Sequence, residues 1–274
     1  MVLFLFSDTK YSRLTEGLIK SLRVSGNDHT IYFYMMNFTD KEASNFAEKF
    51  KDDSKIIYKR KTIDVSPKVK LHSRVANPLY QNNRVKYLIE LMEEQDEDIL
   101  QLCSNCLVFS KLNYFEDYFK TNDLIFLERT KTAPDGTTIR NIKEFTEYVV
   151  NNKLSIDKEL KRTQNVLLGA HGFKNNNLSL SVLKQWDENI KLTKGWDIKT
   201  RGSDMMMFVK AYIQISSKLK NWIPAHTEWN IPREQTTICD TSHYDGNPIW
   251  FAKGAMQAES KNPKYHKKLK DILK

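Results

Sequence analysis

Short apolar runs alternate with amphipathic stretches along most of this chain. Residues 2–8, VLFLFSD, are apolar until they end in polar residues, which predicts a buried strand. The segment that follows carries Leu14, Leu18, Ile19 and Leu22 at helical spacing and reaches Gly26-Asn27, a plausible helix stop. HTIYFYMMN (29–37) predicts a second strand, TDKEASNFAEKFK a helix with Thr39 as its N-cap, and SKIIYKRK a third strand. NPLYQNNRVKYLIELMEEQ (77–95) reads as a helix with Val85, Leu88, Ile89 and Met92 on one face. DILQLCSNCLVF is then a strand and its exit, and DLIFLER (123–129) another strand. NVLLGAHGF (165–173) reads as a strand running into a glycine-flanked turn. LSLSVLKQWDENIK and SDMMMFVKAYIQI (203–215) read as helices, the second capped by Ser203.

Strands that alternate with helices imply a parallel, doubly wound α/β sheet. Such sheets bind ligands outside the carboxyl ends of their strands. Asp8 and the segment 103–106 both fall at such ends. Residues 130–162 are highly charged around a Pro134-Asp135-Gly136 turn and suggest an inserted lobe or a mobile loop. The 274 residues contain no internal repeat, and one domain is expected across 1–274, with that insertion and a basic tail at 255–274.

Composition narrows the partners. A net charge of +9 favours polyanions such as phosphates, nucleic acid or an anionic membrane. The basic residues are spread along the chain, which weakens a dedicated nucleic-acid reading. The first apolar run is too short for a signal segment, and no stretch approaches the roughly 20 apolar residues of a spanning helix, so a cytoplasmic protein is expected. The last 14 residues hold six lysines and one aspartate, with Leu269, Ile272 and Leu273 as a narrow apolar stripe. Two readings stand for this tail: a solvated terminal helix, or docking on an anionic membrane or substrate.

The three cysteines are too few for a disulfide framework. Cys103-Ser104-Asn105-Cys106 matches CxxC, and Cys239 with His243 could complete a Cys3His zinc site. Against both zinc and redox roles, this CxxC follows a strand, whereas a thioredoxin-like motif opens a helix whose dipole lowers the thiol pKa. Plain buried or loop cysteines are the favoured reading.

Five segments in order carry a resemblance. They are SDTKY (7–11), NNRVKYLIELMEEQDEDILQLCSNCLVF, NVLLGAHGFKNNN, RGSDMMMFVKAY, and WNIP followed by HYDGNPIW (243–250). Together they resemble the retaining glycosyltransferases of family 8, a GT-A fold class that includes bacterial lipooligosaccharide galactosyltransferases and glycogenin. The resemblance covers roughly residues 2–250 and implies a GT-A fold with a mixed central sheet. It implies a hexosyltransferase using a UDP-sugar, such as UDP-glucose or UDP-galactose, with retention at the anomeric carbon. In this reading the CSNC element occupies the place of a metal-binding DxD. Cys103 and Asn105 stand where the family has aspartates, Ala170 where it has an asparagine, and Met205 where it has a glutamine.

The resemblance assigns nucleotide-sugar contacts to Ser7, Asp8, Tyr11, Arg84, Cys103, Ser104, Asn105, Ala170, His171, Gly172, Asp204, His243, Gly246, Trp250 and Lys253. Asp204 and His243 carry the catalytic assignment. Each has a plainer alternative: Asp8 a strand-end cap, Tyr11 core packing, Arg84 a surface charge, Asp204 an acid favoured by a helix N-terminus, Gly172 a turn glycine and His243 a structural histidine. Cys103 and Asn105 supply no carboxylate. Asn105 with His243 would hold Mn²⁺ weakly and Mg²⁺ poorly, so no metal is required in this reading. Arg84, Arg201, Lys253 and His243 are the candidates to neutralise the departing diphosphate instead. A nucleotide-sugar-binding protein without turnover is the alternative, and a basic zinc or nucleic-acid protein a further one. The acceptor is expected to be a glycan, a lipid or another anionic molecule.

Overall fold

The computed structural model describes residues 1–63, 76–128, 131–162, 166–192, 203–219, 222–226, 249–251 and 263–274. In chain order the strands are β1 (Val2–Asp8), β2 (Ile31–Met36), β3 (Ile56–Lys61), β4 (Ile99–Cys103), β5 (Cys106–Val108), β6 (Leu124–Glu128), β7 (Lys131–Thr132), β8 (Thr138–Ile139), β9 (Val166–Phe173), β10 (Ala225–His226) and β11 (Ile249–Phe251). The helices are α1 (Ser12–Val24), α2 (Asp40–Glu48), α3 (Ala76–Glu94), α4 (Tyr114–Thr121), α5 (Ile142–Asn151), α6 (Ile156–Arg162), α7 (Asn177–Leu192), α8 (Ser203–Lys218) and α9 (Pro263–Leu273). The architecture is α/β with a mixed central sheet. The chain forms two compact units: Met1–Asp64, Ile99–Asp117 and Glu234–Lys274 make the first, and Val65–Asp98 with Tyr118–Arg233 the second.

In the first unit β4, β1, β2 and β3 lie side by side and all pair in parallel. Because side chains alternate along a strand, each strand serves two faces. Phe33 and Tyr58 turn to one face and meet Phe46 of α2, whose ring lies 5.0 Å from Phe33. Phe4 and Tyr34 turn to the other and tilt together at 4.9 Å. Helix α2 starts at the expected place, with Thr39 and Glu42 forming a reciprocal capping box.

The C-terminal helix departs from the solvated reading. Tyr265 and Leu269 of α9 are buried against Leu14 of α1 and Leu107 of β5, with Ile272 and Leu273 packed beside them. Gly17 makes this approach possible, since a Cβ there would lie 2.1 Å from Leu269 Cδ1. The apolar stripe is therefore covered by α1, while Lys264, Lys267, Lys270 and Lys274 stay exposed. Among the described residues no helix is long and apolar enough to cross a membrane.

In the second unit β6 pairs antiparallel with β9 and parallel with β10. Its core is aromatic: Phe208 of α8 lies 5.2 Å from both Trp186 of α7 and His171 of β9, and Phe126 sits 5.5–5.6 Å from Phe208 and Tyr212. The buried face of α3 is Arg84, Val85, Leu88, Leu91 and Met92, so Leu91 takes the place expected for the half-buried Ile89. Asn175 stitches α3 to the end of β9: its amide donates to the carbonyls of Met92 and Gln95, and its backbone N–H donates to Asp98 Oδ1 at 2.8 Å. The charged stretch after β6 is built from the β7–β8 hairpin, α5 and α6. Ile139, Ile142, Phe145, Val149 and Leu160 are among its buried residues, and Lys210 of α8 pairs with Asp157 at 2.8 Å.

Candidate functional site

The first unit brings the ends of β1 and β4 together. Parallel register sets Phe6 against Cys103, so Ser7-Asp8 and Ser104-Asn105 leave the sheet side by side at its carboxyl end. The Ser104 hydroxyl donates to the Phe6 carbonyl at 3.1 Å and ties the CSNC turn to β1. Asp8 is nearly buried, and its Oδ1 accepts from the Tyr11 N–H at 3.3 Å, which caps the short 3-10 turn Thr9–Tyr11. The cap expected as the plain alternative is thus present, and it engages one carboxylate oxygen. Ser7 points to the opposite face, where its hydroxyl lies 3.1 Å from that of Thr15 in α1. Tyr11 is half-buried, as are Cys103 and Asn105.

Strand β5 leaves the CSNC turn and pairs antiparallel with β11, with Cys106 opposite Phe251 and Leu107 opposite Trp250. The WNIP…HYDGNPIW region therefore ends beside the CSNC element, although its His243, Gly246 and Lys253 lie outside the described residues. Arg201 and Cys239 lie outside them too. Two α1-side residues that sequence reasoning missed hold β5 and its exit. Ser21 Oγ accepts from the Val108 N–H at 3.0 Å, and Asn27 Oδ1 accepts from the Leu112 N–H at 2.7 Å while its amide donates to the Ser110 carbonyl at 2.9 Å. The only signal was an asparagine directly after the helix-stop glycine. Gln101 was missed as well. It is a fully buried amide within an apolar strand, on the same face as Cys103, and neither of its side-chain polar atoms has a hydrogen-bond partner among the described residues.

The donor set of the CSNC turn does not fit a hard divalent cation. Such ions take carboxylate and carbonyl oxygens, and this turn presents thiols, one hydroxyl and one amide. Among the described residues no cluster of three or more His, Cys, Asp or Glu side chains could hold a metal. Cys106 is fully buried, and that burial, with a smaller contribution from Cys103, pushes its thiol well above the usual range.

In the second unit the sugar-pocket candidates Ala170, His171 and Gly172 lie within strand β9. Strand β9 continues through Gly172 to Phe173, so the predicted glycine-flanked turn is instead extended strand, with Gly172 opposite Ile125 of β6. A Cβ on Gly172 would lie 2.7 Å from Phe119 Cζ and 2.9 Å from Ile125 Cβ. Gly172→Ala should therefore cost about 1–3 kcal/mol through overpacking, read as a lower urea midpoint at unchanged m-value. Ala170 is buried, and the His171 ring is fully buried, stacked on Phe208 at an interplanar angle of 26°. Arg84 belongs to the buried stripe of α3, with its guanidinium 5.3 Å from the Trp186 ring centre, which removes the surface-charge alternative. Asp204 is the second residue of α8, where a carboxylate favours the helix dipole.

No known protein family matches the chain, and no characterised protein sequence does. Solved structures do resemble it. The glycosyltransferase GlyE of Streptococcus pneumoniae TIGR4 aligns with 99% of this chain at 12% identity and a TM-score of 0.51. The fold is of the GT-A type. Two further matches are the galactosyltransferase LgtC in complex with donor and acceptor sugar analogues (16% identity, 78% of this chain, TM-score 0.43) and the bifunctional glycosyltransferase WbbM (11%, 76%, 0.46). The chain spans 62% of the GlyE chain, 66% of the LgtC chain and 37% of the WbbM chain.

Proposed function

We propose that this protein is a glycosyltransferase that moves a hexose from a nucleotide-diphosphate sugar to an acceptor hydroxyl, with Asp8 and the CSNC turn contributing to the donor site. The observation that carries this reading is the meeting of Asp8, the CSNC turn and the β5–β11 pair at the carboxyl end of parallel strands, where α/β sheets bind ligands. The GT-A fold supports it, and the five sequence segments that resemble family 8 motivate it. UDP-glucose and UDP-galactose are the proposed donors, retention the proposed outcome, and the cytoplasm the proposed compartment.

Transfer breaks the bond between the anomeric carbon and the diphosphate oxygen, and negative charge builds on the departing diphosphate. A divalent cation commonly offsets that charge; the CSNC donor set argues that cationic side chains do so here. Lys253, Arg201 and His243 are the cationic side chains proposed for this role, chosen for their charge. Asp204 takes the sugar side, where a carboxylate can bind hydroxyls or stabilise positive charge at the anomeric carbon. Asp8 takes the ribose or base side as a hydrogen-bond acceptor, and Tyr11 offers an aromatic face.

Thermal denaturation against a panel of nucleotide sugars tests the reading. A genuine donor raises the midpoint by mass action, and its slow hydrolysis should be unchanged by EDTA. Donor binding without hydrolysis or transfer would favour the binding-protein alternative. A midpoint that no nucleotide sugar moves would remove the proposal.

A further inference from the structure

We propose that Cys103 and Cys106 form a reversible disulfide across the CSNC turn, making the strand-end element a redox-modifiable site. Cys103 closes β4, Cys106 opens β5, and the chain turns at Ser104 and Asn105 between them. A four-residue turn holds its end Cα atoms within about 7 Å, and disulfides span Cα separations of about 4.4–6.8 Å, so a turn at 104–105 brings the two cysteines close to bridging range. Both arms are held: Ser104 is tied to the Phe6 carbonyl on one side, and Cys106 lies in the β5–β11 ladder on the other. Little backbone freedom is therefore left to lose on closure.

The two thiols are unequal in a useful way. Cys103 is half-buried and reachable by a small oxidant, whereas Cys106 is buried beside it. With hydrogen peroxide as oxidant, the Cys103 thiol takes one oxygen to become a sulfenic acid and releases one water. The Cys106 sulfur then attacks the Cys103 sulfur, the S–S bond forms, and the hydroxyl leaves with the Cys106 proton as a second water. Two electrons pass from the thiol pair to the peroxide, and a dithiol reductant returns them. The element follows a strand and lacks the helix dipole of a thioredoxin-type pair, so a modest rate and no catalytic turnover are expected.

A closed disulfide would fix the backbone of Ser104 and Asn105 beside Asp8 and so change donor affinity. This consequence rests on the glycosyltransferase reading; the disulfide itself does not.

The test uses the full chain carrying Cys239→Ala, treated with stoichiometric peroxide and read by intact mass and iodoacetamide labelling. The expected result is a loss of about 2 Da with both cysteines protected, reversed by dithiothreitol and abolished by Cys103→Ser or Cys106→Ser. Retention of both labels, or a gain of about 32 Da from a sulfinic acid at Cys103 with Cys106 still labelled, would overturn the proposal. In the fully oxidised sample the donor-induced thermal shift should fall and recover on reduction. An unchanged shift would overturn the control of donor binding while leaving the disulfide standing. If no nucleotide sugar shifts the reduced protein, the function reading fails, and the mass result still decides the disulfide.

Discussion

Asp8→Asn should leave the protein folded and weaken donor binding by about tenfold or more, whereas Asp8→Ala should lose both binding and some stability. The distinction comes from the two things this carboxylate does. One oxygen caps the Thr9–Tyr11 turn by accepting from the Tyr11 N–H. Asparagine caps as well as aspartate, so Asp8→Asn keeps that bond, while alanine removes it at a cost of about 1 kcal/mol. The proposed nucleotide-sugar contact is a charge-assisted hydrogen bond accepted by a nearly buried carboxylate, worth about 1.5–3 kcal/mol, and about 1.4 kcal/mol corresponds to tenfold in affinity. Calorimetric titration of both variants with the best donor, alongside their urea midpoints, separates the roles. Full donor affinity in Asp8→Asn would reduce Asp8 to a cap and remove it from the site.

Trp186→Ala should be among the most damaging single changes in the second unit, at about 3–5 kcal/mol. Trp186 is fully buried, meets Phe208 edge-on at 5.2 Å, and lies 5.3 Å from the Arg84 guanidinium. Removing the indole opens a cavity between α7 and α8 and takes the π face from a buried cation, so the Arg84 side chain loses packing and electrostatic support together. Trp186→Phe retains an aromatic edge for Phe208 and should cost markedly less. Equilibrium urea unfolding of the two variants reads the difference. A loss below about 1 kcal/mol for Trp186→Ala would mean this cluster is not a stabilising core.

The same cluster explains which parts of the candidate site were legible in advance. Asp8 and the CSNC turn were visible because both follow short apolar runs, and a strand's end is a local property of the chain. That they lie side by side follows from the β1–β4 register, which no local pattern encodes. Arg84 and His171 looked like ligand-binding groups because their chemistry suits phosphates and sugars. Arg84 shares a helix face with Val85, Leu88, Leu91 and Met92, and His171 lies under Phe208. Periodicity does mark position 84 as inward, since 84, 88 and 91 share one face, but the aromatic face that helps a cation there comes from Trp186, about 100 residues away.

Periodicity and capping alone determined most of the larger strands and helices, among them β1 to β4, α1 to α3, α7 and α8, the start of α2 at Thr39, and the position of the CSNC element at a strand end, because each depends on residues a few places apart. Tertiary structure alone decided which way Ser7 and Asp8 face, that β5 hangs from Ser21 and Asn27, and that the lysine-rich tail buries Tyr265 and Leu269 on α1. Burial and hydrogen bonding of this kind require a partner, and here the partner comes from a distant segment: Asn27 reaches Ser110 across 83 residues of sequence. A pattern read along the chain carries the period of each element, but the identity of the surface it meets exists only after folding.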